Sequence, residues 1–162
     1  HNNWNMVMTA PVPAAGLFFG KLAVLLLITL LTQLWMGVLF LISGKIAGLP
    51  GLCPPSILLW LLQGTIGALP ICCLQLFLSM NIRSFSIPIG IALLGSVAGV
   101  LINNEGKGLF WPYSLMLLGM NANGSNKTLT EGYLPFIFSA FIFSLIFCIA
   151  AVWELNHRDI KA

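Results

Sequence analysis

The chain has 162 residues, of which 59% are hydrophobic and 7% charged, with seven Lys and Arg against four Asp and Glu for a net charge of +3. Soluble domains carry about 25% charged residues, so this composition cannot cover a water-exposed surface. The basic residues are scattered singly rather than gathered into a stripe, which excludes the footprint of a nucleic-acid binder.

At the start, Trp4, Met6 and Met8 alternate with Asn2, Asn3, Asn5 and Thr9 before Ala10-Pro11-Val12-Pro13. This pattern suits a short amphipathic helix stopped by prolines at a membrane surface, or an interfacial linker. It lacks the charged n-region and cleavable apolar stretch of a signal peptide. The chain opens on His1, and reads as part of a longer protein entered after its beginning.

A spanning helix needs about 20 predominantly apolar residues. Four segments meet or approach that length: Leu22–Ile42, Ile57–Leu78, Phe85–Ile102 and Leu134–Trp153. Their apolar residues run all round rather than along one stripe, as lipid-facing helices require. Residues 43–56 form a Gly- and Pro-rich connection with Lys45, and residues 79–84 a short one with Arg83. The long connection Asn103–Tyr133 encloses Leu109–Met120, an apolar stretch too short to cross, which predicts a re-entrant or interfacial helix. The expected fold is all-α, a polytopic transmembrane bundle of four spans forming one domain over residues 1–162.

Placement of Lys and Arg sets the expected orientation. With the N-terminus inside, Lys21, Arg83, Arg158 and Lys161 lie on the inner side, and Lys45, Lys107 and Lys127 on long outer loops. Short inner loops are where the positive-inside rule operates. Both termini are therefore expected in the cytoplasm, with Trp111, Tyr113 and Tyr133 at the outer interface and Trp153 at the inner one.

No Asp, Glu, Lys or Arg lies in the middle of any span. Proton-coupled carriers keep an intramembrane carboxylate or His relay, and a small four-span multidrug antiporter would carry a Glu in its first span, where this chain offers Gln33 at best. Gln33, Gln63 and Gln75 are candidates for a polar path or for hydrogen bonds between helices. Gly95 and Gly99, like Gly16 and Gly20, have the small-x-x-x-small spacing that lets helix backbones approach closely. Pro70 and Pro88 each remove a backbone donor.

Chemistry within the chain is not expected. Cys53, Cys72, Cys73 and Cys148 have no metal or redox spacing, and the adjacent Cys72 and Cys73 must point to different sides of a helix. The histidines, His1 and His157, lie in polar end segments without an arranged nucleophile. In Asn104-Glu105-Gly106-Lys107-Gly108, Leu101 and Gly108 stand where a phosphate-binding loop needs Gly and Ser or Thr, so the stretch reads as an exposed turn. Asn123-Gly124-Ser125 and Asn126-Lys127-Thr128 match glycosylation sequons that arise readily in polar loops.

Asn3-Trp4-Asn5-Met6, then Ala10-Pro11-Val12-Pro13, then Lys21 opening a long apolar span, resembles the permease subunits of type-2 ABC exporters. Ser84-Phe85-Ser86-Ile87-Pro88-Ile89-Gly90-Ile91, Phe110-Trp111-Pro112-Tyr113-Ser114 and Gly119-Met120-Asn121 look like the branch serving lantibiotic immunity and peptide-antibiotic resistance. Asn5 and Pro13-Ala14 stand where that family carries basic residues. The resemblance covers essentially the whole chain and implies about six spans, two of them preceding His1. It also implies a bacterial cytoplasmic membrane, a separate ATP-binding subunit, and a second permease that is a paralogue or a second copy. ATP would bind the partner and no cofactor this chain, the cargo being a hydrophobic peptide. Residues 1–15 would form the ATPase-coupling segment, with Asn3, Trp4, Asn5, Met6 and Met8 at the contact. A membrane assembly or sensor subunit without a transport path is the alternative reading.

Overall fold

The computed structural model describes residues 14–48, 56–122 and 133–157. The coupling segment with Asn3, Trp4, Asn5, Met6 and Met8 lies outside the described residues, as do both sequons. Every regular element among the described residues is helical. Four are long: α1 (Ala14–Ile46), α2 (Ser56–Asn81), α3 (Ser86–Asn104) and α5 (Tyr133–His157). Between α3 and α5 lie 3-10 turns at Gly108–Phe110 and Pro112–Ser114, followed by the short helix α4 (Leu115–Gly119).

Length and composition give all four long helices the capacity to cross a membrane. At about 1.5 Å per residue, α3 with 19 residues reaches about 28 Å, close to the hydrocarbon thickness, while α1 with 33 reaches about 50 Å. The helix therefore overhangs the apolar layer, and runs past the stretch Leu22–Ile42 at both ends. Several of the hydroxyl residues that interrupt the spans bond within their own helices. Thr29 and Thr32 each donate to the carbonyl four residues back at 2.8 Å, and Ser96 and Ser144 do so at 2.7 Å. In lipid no water would satisfy those hydroxyls, so local back-bonding is what makes them tolerable.

The hub of the bundle is α2, which packs against α1, α4 and α5 and is the most buried of the long helices. Where α1 begins and α2 ends, Phe18 and Leu22 meet Cys73 and Leu76 of α2 and Ala151 and Leu155 of α5. Toward the other end, Leu115 and Leu118 of α4 pack on Phe136 and Ala140 of α5. Cys72 and Cys73 do point apart: the Cys72 thiol lies 3.5 Å from the Thr29 hydroxyl of α1, and Cys73 lies 3.5 Å from the Cys148 thiol of α5. The spacing of Gly16 and Gly20 is not used this way among the described residues, since both are exposed and a Cβ on Gly20 would meet nothing within 4 Å.

Candidate functional site

Residues 108–122 fold back into the bundle rather than lying across its end. The sequence suggests one helix over Leu109–Met120, but the structure breaks it at Trp111-Pro112. A residue before proline is pushed out of the helical region, and Trp111 is extended at φ −127°, ψ 121°. Pro112 then opens the second turn, where its missing donor costs nothing. The Ser114 hydroxyl, fully buried, faces the carbonyl oxygens of Gly108 and Trp111, the latter at 2.7 Å, and so ties the two turns together.

Entry and exit of the segment are set by left-handed residues. Gly106 (φ 77°) ends α3, with its N–H bonded to Asn103 O at 3.0 Å and the Lys107 N–H bonded to Ile102 O at 3.1 Å. This is the two-bond Schellman cap, which needs a residue without a Cβ penalty at that position. The Asn104–Gly108 run is thus a helix stop. Asn121 (φ 52°) ends α4 in the same backbone region, which Asn tolerates better than most residues.

Two helices are stripped of side chains to receive the segment. On α2, a Cβ at Gly67 would lie 2.6 Å from Leu115 C and 2.8 Å from Met116 Cα, and one at Gly64 would lie 2.5 Å from Met120 Cγ. From the segment's own side, a Cβ on Gly119 would come within 2.5 Å of Gln63 O. On α3, a Cβ at Gly95 would strike the Tyr113 ring at 2.5 Å, and one at Gly99 would sit 3.2 Å from Ser114 N. The Gly95–Gly99 pair is therefore the seat of an irregular segment, not of another spanning helix.

The intramembrane glutamines meet the same segment. Gln75 Nε2 donates to Tyr113 Oη at 2.6 Å, and Gln33 Nε2, from α1, donates to Met120 Sδ at 3.5 Å. Gln63 is buried, with its backbone against Gly119. Trp111 Nε1 donates to Gly95 O at 2.9 Å, and Ser139 of α5 donates to Leu109 O. Trp111 and Tyr113 are consequently not interfacial anchors. Gly95 lies halfway along α3, and Gln75 lies 19 residues, about 28 Å, from the start of α2. The glycines make room for the two rings, and the ring donors and acceptors find partners at that depth.

Gly64, Gly67 and Ser139 have no separate role in the sequence reading. Their only signal is small size inside otherwise bulky spans. The Gln75–Tyr113 bond gives a direct test. Gln75→Leu and Tyr113→Phe should each destabilise the bundle by about 0.5–1.5 kcal/mol, the range for interhelical hydrogen bonds in membranes. The double variant should cost no more than the worse single one. Thermal unfolding of the four proteins in one detergent measures this, and strict additivity would show that the two side chains do not interact.

Beyond Tyr113, a cleft of about 400 Å³ opens between α1, the last turns of α2 and the first turn of α3. Gln75 lines it together with Leu25, Leu76, Ser79, Arg83 and Phe85. The geometry is a helical bundle closed at one end by an inserted segment and cleft at the other, with no group of metal-ligating side chains among the described residues.

This is the architecture of a helical bundle with four helices long and apolar enough to cross a membrane. A family model described as ABC-2 family transporter protein matches residues 1–99, from the opening segment through Gly99 of α3. The chain belongs to that family, and is a multi-pass membrane subunit of an ABC transporter, which implies an ATPase partner. Comparison with curated proteins and with solved structures finds no match.

Proposed function

We propose that the chain is the permease subunit of a bacterial exporter that clears peptide antibiotics, of the lantibiotic-immunity type, from the cytoplasmic membrane. A separate ATP-binding subunit hydrolyses ATP, and a second permease, paralogue or copy, completes the path. Both termini face the cytoplasm. The observation that carries this reading is α1 itself. It is one unbroken helix from Ala14, next to the coupling segment, to Gln33, whose amide meets Met120 of the inserted segment.

A push on Asn3–Thr9 from ATPase closure reaches a rod that begins at Ala14 and touches the inserted segment directly. The segment then acts as an outer plug, and its displacement lets a hydrophobic peptide leave outward. Phe110–Ser114 and Gly119–Asn121, two of the runs that carry the resemblance to the peptide-antibiotic branch, form much of that plug. The absence of charge in the middle of the spans supports a path driven by a partner's ATP rather than by protons.

The test is affinity purification of the full-length protein in mild detergent. An ATP-binding subunit should come with it, and Trp4→Ala should reduce that recovery about tenfold or more, as loss of a buried Trp anchor worth about 2 kcal/mol does. Membrane insertion should be unchanged. Recovery of the wild type without an ATP-binding subunit would sink the exporter reading; undiminished recovery with Trp4→Ala would sink the coupling role.

A further inference from the structure

We propose that the seat of the inserted segment is a binding groove for an uncharged hydrophobic peptide, in which the segment rests as a displaceable stand-in for that ligand. This deepens the exporter reading, on which it rests, by naming what takes the place of the plug when it moves. The groove's occupant is itself a stretch of peptide, so the chemistry it accepts is visible. Backbone atoms of Leu115 and Met116 lie against Gly67, and the Leu115 and Leu118 side chains are fully buried beside Phe136 and Ala140. From Gly64, which receives Met120, to Gln75, which holds Tyr113, the groove runs about 16 Å along α2, room for about five extended residues. With no charge in the middle of any span, a charged ligand residue would find no counter-charge there.

The segment fills the groove but serves its polar groups unevenly. Gln33 is 3% exposed and donates its Nε2–H to Met120 Sδ at 3.5 Å, although a thioether is a weak acceptor. Asn103 of α3 is 6% exposed, and its Oδ1 has no hydrogen-bond partner. That oxygen lies beside Gly108, where a Cβ would come within 2.6 Å of it. Of the three amides Gln75 is the well-served one, by Tyr113 Oη at 2.6 Å. A buried acceptor without a donor is costly. The backbone of a free peptide carries a carbonyl for Gln33 and an N–H for Asn103, two bonds that the plug does not supply. An acyl chain carries neither, which favours a peptide over lipid in this groove.

The experiment uses the full-length protein in one mild detergent. The probe is a fluorescein-labelled peptide with the sequence of residues 108–121, read by anisotropy against empty micelles and against a scrambled peptide of equal composition. Tyr113→Phe and Gln75→Leu break the same bond and loosen the plug alike, so a merely structural role would move peptide binding equally in both. The groove makes them differ. Tyr113→Phe leaves the Gln75 amide to the peptide's tyrosine, and apparent affinity should rise about threefold to tenfold as the open fraction grows. Gln75→Leu removes the amide from plug and peptide together, and affinity should stay within about twofold of wild type. A peptide with phenylalanine in place of its tyrosine should lose about threefold to tenfold on the Tyr113→Phe protein and nothing on Gln75→Leu. Helical content and monodisperse elution confirm that each variant is folded and that segments are not exchanged between molecules. Failure of Tyr113→Phe to bind more tightly than Gln75→Leu would overturn the proposal, as would equal binding of the scrambled peptide. No ATPase enters the assay, so its failure leaves the co-purification test of the exporter reading untouched. Peptide binding by a protein that recruits no ATP-binding subunit would keep the groove and sink the exporter.

Discussion

Gly67→Ala is expected to destabilise the bundle by about 1–3 kcal/mol, the usual cost of forcing atoms into a filled core. Gly90→Ala should instead stabilise it, by about 0.5–1 kcal/mol, because Ala is the better helix former. The chemical change is the same and both positions are helical. The difference is what the new methyl meets. At Gly67 it lies 2.6–2.8 Å from backbone atoms of Leu115 and Met116, which belong to a segment pinned on its far side by Phe136 and Ala140. At Gly90 nothing lies within 4 Å. A clash with the tip of a flexible side chain could relax by a rotamer change; a clash with backbone moves the whole segment.

Unfolding can be followed through the buried Cys73 thiol, which becomes reactive only when α2 and α5 separate. Gly67→Ala should lower the midpoint of thiol labelling on heating and Gly90→Ala should raise it. Equal midpoints would show that α4 does not rest against α2 at Gly67. Gly119→Ala should resemble Gly67→Ala, since it opens the same interface from the other side, and the double variant should cost less than the sum.

The four spans were legible because lipid imposes a simple requirement, a long run of apolar residues with every backbone group bonded internally. Composition also exposed the three glutamines as unusual. Their partners were not legible. Gln75 meets Tyr113 across 38 residues and Gln33 meets Met120 across 87, and no local pattern encodes such pairings. The inserted segment was visible as an apolar stretch too short to cross, but its path was not. Trp111 and Tyr113 carry the composition of an interfacial belt, and only the bare faces of α2 and α3 admit them to mid-depth. Gly95 and Gly99 showed the spacing for close approach. That spacing is silent on whether the visitor is a helix or, as here, a pair of 3-10 turns.

Gly95→Leu combined with Gly99→Leu should detach α3 from the bundle, at about 2–4 kcal/mol for two overpacked positions that share one neighbour. The size follows from how α3 is held. It packs on the turns Gly108–Phe110 and Pro112–Ser114 more extensively than on α2. The Trp111–Gly95 bond and the contacts of Tyr113 and Ser114 make up that seam. Trp111→Phe removes the bond alone and should cost about 0.5–1.5 kcal/mol. Two leucines in place of the glycines push the rings away and remove bond and contact together.

Arg83 and Lys107 bracket α3, so limited trypsinolysis in detergent reads its opening directly. In the double variant, cleavage at both should accelerate by one to three orders of magnitude, because cutting tracks the open population when closing is fast. Cleavage at Lys45, at the end of α1, should change little. Unchanged cleavage at Lys107 would mean that α3 is anchored elsewhere. If cleavage rises and peptide expulsion by the reconstituted transporter is lost while its ATPase still co-purifies, the seam between α3 and the inserted segment is part of the outward path. Expulsion that persists with α3 loosened would confine the path to α1, α2 and α5.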